Sequence, residues 1–211
     1  MIYLIGGQKG GTGKTTVATN LAAYLVKQGK DVLLVDGNAA QGSASNWVAR
    51  REESDLPAVH CVEKSGNIHK ALQDLSERYQ NIIVDTGGQD SKEFRTALAA
   101  ADVLITPIRP SQKDAETLVF VSDLVERAME LNEQLKPYIL ITNAPSHPAI
   151  KLVEETRELI GGLEVFKILE TVVYNRKAYV DCDPIGAGVV ESEPRSKAAQ
   201  EITSLALELG L

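Results

Sequence analysis

Residues 6–16 bring closely spaced glycines together with lysines and threonines, residue types that bind phosphate groups. They follow a short apolar run, Ile2–Ile5, and precede a helical pattern, which is the context of a phosphate-binding loop. Glycines let the backbone turn tightly and present its N–H groups to an anion, and the following helix adds the positive end of its dipole. The residues that this pattern predicts to bind a nucleotide are Gly10, Gly11, Thr12, Gly13, Lys14, Thr15 and Thr16.

Two residues of this loop have predicted roles of their own. Lys14 supplies a point charge for the β- and γ-phosphates, and the Thr15 hydroxyl is a ligand for Mg²⁺. The alternative interpretation is a glycine-rich turn that binds nothing. The Gly-Lys-Thr triplet at the start of a helix disfavours that alternative.

Two aspartates directly follow apolar runs elsewhere in the chain. Asp36 comes after Val32–Val35, and Asp85 comes after Ile82–Val84. Because ligands of such folds bind at the carboxyl ends of the strands, both carboxylates are expected beside the phosphate loop. An aspartate often just opens a turn, but two of them here favour a magnesium site formed by Thr15, Asp36 and Asp85.

Strand-like apolar runs alternate with helical patterns along the whole chain and must position these residues. Several runs are continuous, which suits parallel strands buried on both faces. We therefore predict a doubly wound α/β fold, with a mostly parallel sheet flanked by helices on both faces, as one domain over residues 1–211. The predicted strands are Ile2–Ile5, Asp31–Val35, Ala58–Val62, Asn81–Val84, Val103–Pro107, Tyr138–Thr142 and Val165–Ile168. The predicted helices span residues 15–28, 113–131 and 195–209.

The composition is that of an ordinary globular protein, with 44% hydrophobic residues, 24% charged residues and a net charge of −7. No apolar run approaches the roughly 20 residues of a membrane-spanning helix, and no signal peptide is recognisable, so we expect a cytoplasmic protein. The negative net charge disfavours nucleic-acid binding by the whole protein surface, but it permits a local basic patch. The two cysteines form no disulfide framework; Cys61 is expected on a buried strand and Cys182 in a loop.

A second lysine, Lys9, lies five residues before Lys14, and Gln8 occupies the position of the first glycine of the ordinary motif. The run Lys-Gly-Gly-Thr-Gly-Lys-Thr-Thr resembles the deviant Walker A loop of the ParA/MinD family of ATPases. The resemblance implies that Lys9 reaches across a dimer interface to the partner's bound ATP, so ATP or ADP with Mg²⁺ and an ATP-dependent homodimer are expected. A solvated surface lysine is the alternative.

The same resemblance concerns the loop after the second strand. ParA/MinD proteins usually carry Asp-x-Asp there, and this chain has Asp36 but replaces the second carboxylate by Asn38. The resemblance implies that Asp36 holds a magnesium-bound water. The family's second carboxylate positions and activates the attacking water, and an amide does not accept a proton in this pH range. We therefore predict catalytic roles for Lys9, Lys14, Asp36 and Asn38, with very slow ATP hydrolysis.

The resemblance extends more weakly to later segments. Asp114 follows a Pro-x-x-Pro-Ser stretch, where it either pairs with Lys9 at the dimer interface or is an acidic residue favoured by a helix N-terminus. Asn143 is a candidate contact to adenine, although a simple turn explains it equally well. Members of the ParA type bind DNA without sequence preference, and the candidate residues here, interspersed with acidic ones, are Lys167, Arg176, Lys177, Arg195 and Lys197.

The resulting function is an ATP-dependent dimerising switch for DNA partition, most often of a plasmid, with a ParB-like adaptor that binds the centromere or the cargo. No basic residue follows Lys197, so a membrane-binding terminal helix is not expected. The alternatives are a ParA-like ATPase that positions a protein cargo, an ATP-dependent ligase resembling dethiobiotin synthetase, and a redox ATPase resembling the nitrogenase iron protein. The last would need cluster-ligating cysteines, and Cys61 and Cys182 do not sit in that family's positions.

Overall fold

The computed structural model describes residues 1–38, 41–88, 91–147 and 151–211. Its strands form one seven-stranded parallel sheet in the order β3-β2-β4-β1-β5-β6-β7. The strands are β1 (Ile2–Ile5), β2 (Val32–Gly37), β3 (His60–Glu63), β4 (Asn81–Thr86), β5 (Val103–Ile108), β6 (Lys136–Ala144) and β7 (Lys167–Tyr174). The α-helices are α1 (Lys14–Lys27), α2 (Ser43–Glu52), α3 (His69–Ser76), α4 (Lys92–Leu98), α5 (Gln112–Met129), α6 (Leu152–Ile160), α7 (Lys177–Cys182), α8 (Val189–Ser192) and α9 (Lys197–Glu208).

Helices cover both faces of the sheet, which confirms the predicted doubly wound fold. Along β1, Tyr3 and Ile5 pack into the core beneath α1, α2, α7, α8 and α9, whereas Ile2 and Leu4 pack into the core beneath α3, α4, α5 and α6. Burying an aliphatic side chain of this size stabilises the fold by about 1.5–3 kcal/mol. The continuous apolar strands are therefore what forces helices onto both sides.

Helix α1 begins differently from three other helices. Ser91, Ser111 and Ser196 cap α4, α5 and α9, each accepting a hydrogen bond from the backbone N–H three residues later. Gly13 precedes α1, has a φ of 84° that favours glycine, and offers no side-chain acceptor. The first turn of α1 therefore keeps free N–H donors at the point where the sequence predicts a phosphate.

Helix α2 is anchored to the C-terminal part of the chain through a buried ion pair. The Arg51 guanidinium donates to the two carboxylate oxygens of Glu191 at 2.5 and 2.8 Å and lies 5.1 Å from the centre of the Trp47 ring. It also donates to the carbonyls of Pro57 and Gly186, so its N–H groups are well satisfied. These hydrogen bonds offset the free-energy cost of burying the charges. They also hold α2, the helix that follows the Asp36 loop, in place.

Some features predicted from the sequence differ from those in the structure. The seventh strand was predicted at Val165–Ile168 and lies at Lys167–Tyr174. It is an edge strand on which Leu169 and Val173 are buried while Glu170 is exposed, so it lacks the continuous apolar run that guided the prediction. Cys182, predicted in a loop, ends α7 and is buried in the core. Cys61, predicted to be buried, is only half-buried because β3 lies at the other sheet edge.

Within the described ranges, every helix is too short or too polar to cross a lipid bilayer.

Candidate functional site

The register of the sheet brings the predicted phosphate loop and both aspartates together. Ile5, the last residue of β1, is paired with Asp85 on β4, and Asp85 is paired with Asp36 on β2. The loop after β1 therefore begins beside the two carboxylates, as expected from the carboxyl ends of parallel strands.

A cavity of about 490 Å³ opens at this edge of the sheet. A cavity of this size suits a small-molecule ligand. Its lining comprises Gly10, Gly11, Gly13, Lys14, Thr15, Thr16, Asn38, Gln41, Thr86, Gly87, Gly88 and Asn143. Thr12 is the one predicted loop residue outside this lining; it is buried, and its carbonyl accepts a hydrogen bond from the Thr142 hydroxyl at 2.7 Å. Thr142, which the sequence had not indicated as a support of the loop, thus holds it from β6.

The Lys14 side chain is buried at the base of the loop. Its Nζ donates to the backbone carbonyl of Lys9 at 2.5 Å, so the loop itself holds the ammonium. Burial lowers the pKa of Lys14, and the nearby Asp85 opposes that shift. A lysine in this position can exchange its carbonyl partner for a phosphate oxygen.

Asp85 has the properties of a cation ligand. Its Oδ2 accepts a hydrogen bond from the Thr15 hydroxyl at 2.6 Å, while its buried Oδ1 has no hydrogen-bond partner among the residues that the structure describes. Burial raises the pKa of Asp85 to about 7; the Thr15 hydrogen bond and Lys14 lower it, and Asp36 raises it. A buried carboxylate oxygen without a partner is costly, and a bound Mg²⁺ would satisfy it, so Thr15 and Asp85 fit such an ion.

Asp36 is fully buried and already makes several hydrogen bonds. Its Oδ1 accepts from the Asn38 N–H at 2.9 Å, and its Oδ2 accepts from the N–H groups of Ala44 and Ser45 and from the Ser45 hydroxyl. Asp36 therefore ties the start of α2 to the end of β2. Its predicted role at a metal-bound water stays a prediction, for which Oδ1 retains a lone pair.

The loop after β4 lies directly against the phosphate loop. A Cβ added to Gly88 would lie 2.8 Å from the Gly10 nitrogen, and one added to Gly87 would lie 3.2 Å from the Asn38 side chain. At Gly88 only a glycine allows this approach to the phosphate-loop backbone, and both loops line the cavity.

Lys9 is half-buried, and within the described residues its ammonium has no hydrogen bond or ion pair. Asp114, its predicted partner, lies in the first turn of α5 and instead binds Arg109, whose Nε and Nη2 donate at 2.9 and 3.1 Å. Burial raises the pKa of Asp114, but the hydrogen bonds from Arg109 and the charge of Lys9 prevail and lower it. The sequence had not indicated Arg109 as the partner.

Asn143 and the basic candidates lie in different surroundings. Asn143 lines the cavity with a left-handed φ of 51°, and its Nδ2 donates to the Gly11 carbonyl at 3.4 Å. Arg176 is held by Glu201 at 2.5 Å, whereas Lys177 forms only an exposed pair with Asp181. Arg195 and Lys197 are exposed on the surface, as is Lys167.

Comparison with known proteins identifies the family. Residues 3–185 match the sequence profile of the CobQ/CobB/MinD/ParA nucleotide binding domain, CbiA. The chain belongs to this ParA/MinD family. Its members are ATPases, which supports ATPase activity for this chain.

Relatives in the family include proteins of different named roles. The chromosome partitioning protein ParA of Myxococcus xanthus is 27% identical, and the match covers 99% of this chain and 87% of that protein. The maintenance of carboxysome distribution protein A of Gloeobacter kilaueensis is 35% identical over 72% of this chain and 67% of that protein. Among solved structures, the septum site-determining protein MinD of Pyrococcus horikoshii, complexed with Mg-ADP, matches with a TM-score of 0.77 and 19% identity, covering 99% of this chain and 95% of that one.

Proposed function

We infer that this ParA/MinD-family chain is an ATP-dependent dimerising switch that partitions DNA. The observation that carries this inference is the Lys9 ammonium, which has no hydrogen bond or ion pair among the described residues, in a phosphate loop whose other lysine, Lys14, is already buried. This second cation directly precedes Gly10 of the cavity lining and is available to a nucleotide bound by another copy of the chain. If Lys9 were only a solvated surface residue, it would not need to lie inside the phosphate loop.

We propose that the cavity binds Mg-ATP or Mg-ADP. The N–H groups of the loop and of the first turn of α1 surround the phosphates, and Lys14 pairs with them. Thr15 and Asp85, with Asp36 acting through a water, would hold Mg²⁺, which would supply positive charge to the phosphates. A smaller cavity of about 120 Å³ adjoins Thr16 and Asn143 and includes the apolar side chains of Val173 and Val180, which suits the adenine ring.

The molar mass of the native chain in solution tests the switch. We expect a monomer without nucleotide or with Mg-ADP and a dimer with Mg-ATP, because only the γ-phosphate brings enough charge to the interface to bind the partner's Lys9. Light scattering during gel filtration measures the mass in the three states. The same mass in all three states would contradict the switch.

Non-specific DNA binding by the dimer is the second part of the proposal, and Arg195 and Lys197 with Lys177 are its most available cations. Arg176 is less available, because its ion pair with Glu201 would have to open. Phosphate contacts of this kind make retention on DNA fall steeply with salt, so DNA retention is measured in the same three nucleotide states. A ParB-like adaptor that stimulates the dimer completes the proposed system.

We propose further that hydrolysis is slow because Asn38 replaces a carboxylate. Asn38→Asp is expected to raise turnover by about 10²-fold, the lower end of what a general base contributes, with little change in ATP affinity. Phosphate release under steady-state conditions measures the rate. Asn67→Asp, the same change at an exposed residue outside the cavity lining, is the control. Equal turnover by the native chain and Asn38→Asp would contradict the slow-hydrolysis proposal.

A cargo other than DNA is the alternative that a specific observation favours. The relative from Gloeobacter kilaueensis is named for carboxysome distribution, so a switch of the same kind can serve a protein assembly. Capture of a cargo-binding adaptor with the Mg-ATP dimer, in the presence and absence of DNA, separates the two uses.

A further inference from the structure

Gln41 is a cavity-lining side chain to which the sequence had assigned no role. Its Oε1 accepts a hydrogen bond from Nδ2 of Asn38 at 2.8 Å, and both side chains line the nucleotide cavity together with Gly87 and Gly88. The two amides therefore form a joined polar pair in the lining of the cavity.

The backbone around this pair is fixed by hydrogen bonds. The Asn38 carbonyl accepts from the N–H groups of Gln41 and Gly42, both at 2.9 Å. The Asn38 N–H donates to Asp36 at the buried end of β2, and Asp36 also binds the first turn of α2. The Gln41 backbone and side chain are thus both tied to Asn38 at the end of β2, and such support helps a positioning group to act.

The atoms that the pair leaves available are one acceptor and one donor. With Nδ2 of Asn38 engaged, its Oδ1 is an acceptor, and Gln41 retains its Nε2 donors; neither atom has a hydrogen-bond partner within the part of the chain that the structure describes. The Asn38 amide rests against Gly87, where an added Cβ would lie 3.2 Å from its Oδ1. One acceptor and one donor on neighbouring side chains can hold a water molecule in one orientation.

We propose that Gln41, acting with Asn38, positions the water that attacks ATP. This inference rests on the proposed ATPase function of the same site. The water oxygen forms a bond to the γ-phosphorus, and the bond from that phosphorus to the β–γ bridging oxygen breaks, with its electron pair leaving on ADP. The water's proton passes to the phosphate product and then to solvent, because neither amide accepts it. Phosphoryl transfer depends mainly on positioning and charge, so an amide pair sustains slow turnover.

A double-mutant cycle on the full chain tests the proposal. Gln41→Ala is expected to lower turnover by about 10- to 100-fold, the cost of a misplaced reactant, while the Kd for ATP changes by less than about twofold. In the Asn38→Asp background a carboxylate orients the water by itself, so Gln41→Ala should then cost less than about threefold. Gln73→Ala, at an exposed position on α3, is the matched control and should behave as the native chain.

Each outcome of this cycle decides something. Unchanged turnover by Gln41→Ala overturns the proposal, and so does a loss of ATP affinity that matches the loss of turnover. Equal costs in the two backgrounds also overturn it, because Gln41 would then act independently of residue 38. A native chain that binds ATP without hydrolysing it refutes the water-positioning role alone, whereas a native chain that does not bind ATP refutes the proposed function itself.

Discussion

Lys9→Ala is expected to bind ATP almost as the native chain does and to lose ATP-dependent dimerisation together with DNA retention. Within one chain the Lys9 ammonium has no hydrogen bond or ion pair among the described residues, so its removal leaves the loop intact. Across a two-fold dimer, each chain would lose one charge-assisted contact to its partner's phosphates. Two such losses of about 2 kcal/mol each weaken dimerisation by about 10³-fold.

The measurement pairs light scattering with retention on DNA in Mg-ATP, and the Kd for ATP is determined separately. One complication is that the backbone carbonyl of Lys9 holds the Lys14 ammonium, but this contact survives substitution of the side chain. Lys70→Ala, on the exposed surface of α3, removes the same charge elsewhere and should change none of the three readings. A Lys9→Ala chain that still dimerises with ATP would show that the lysine does not act in trans.

Asp85→Asn is expected to make the nucleotide-free chain more stable and to weaken binding of Mg-ATP by about 100-fold. The carboxylate is buried with one oxygen unpartnered, and burial raises its pKa to about 7, above the ordinary value near 4 of the unfolded chain. The folded state therefore holds a proton that the unfolded state releases between these values. Stability is greatest below pH 4 and falls as the pH rises through 7.

The amide of the variant carries no charge at any pH and can still accept the Thr15 hydrogen bond. Its stability advantage should therefore be about 1 kcal/mol near pH 5 and should reach an order of a few kcal/mol at pH 8. Thermal unfolding without Mg²⁺ or nucleotide at both pH values measures the effect, and Asp74→Asn at an exposed position is the control. A variant less stable than the native chain at pH 8 would mean that the carboxylate stabilises this fold even when charged.

The fold and the centre of the site were predictable because local sequence encodes them strongly. Continuous apolar runs made the parallel sheet recognisable, and the glycines with Lys14 marked the loop that lies before α1. The edge strand β7 was misplaced because Glu170 and Thr171 interrupt its apolar residues, so the strand has no continuous apolar run. The contacts of Thr142 with the loop and of Arg109 with Asp114 were not predicted. A threonine in a strand and an arginine after one carry no local signal of such contacts.

The amino-acid sequence by itself determined that this chain folds around a parallel sheet, that it has a phosphate loop with an additional lysine, and that a carboxylate is missing at residue 38. These are properties of neighbouring residues, whose spacing specifies their backbone conformation and chemistry. Tertiary structure alone decided that Asp114 binds Arg109, that Asp85 keeps a buried oxygen without a partner, and that Gln41 joins Asn38 at the cavity. Those contacts depend on which polar groups become buried when the elements pack together and on where each loop ends. Neither can be read from the order of the residues.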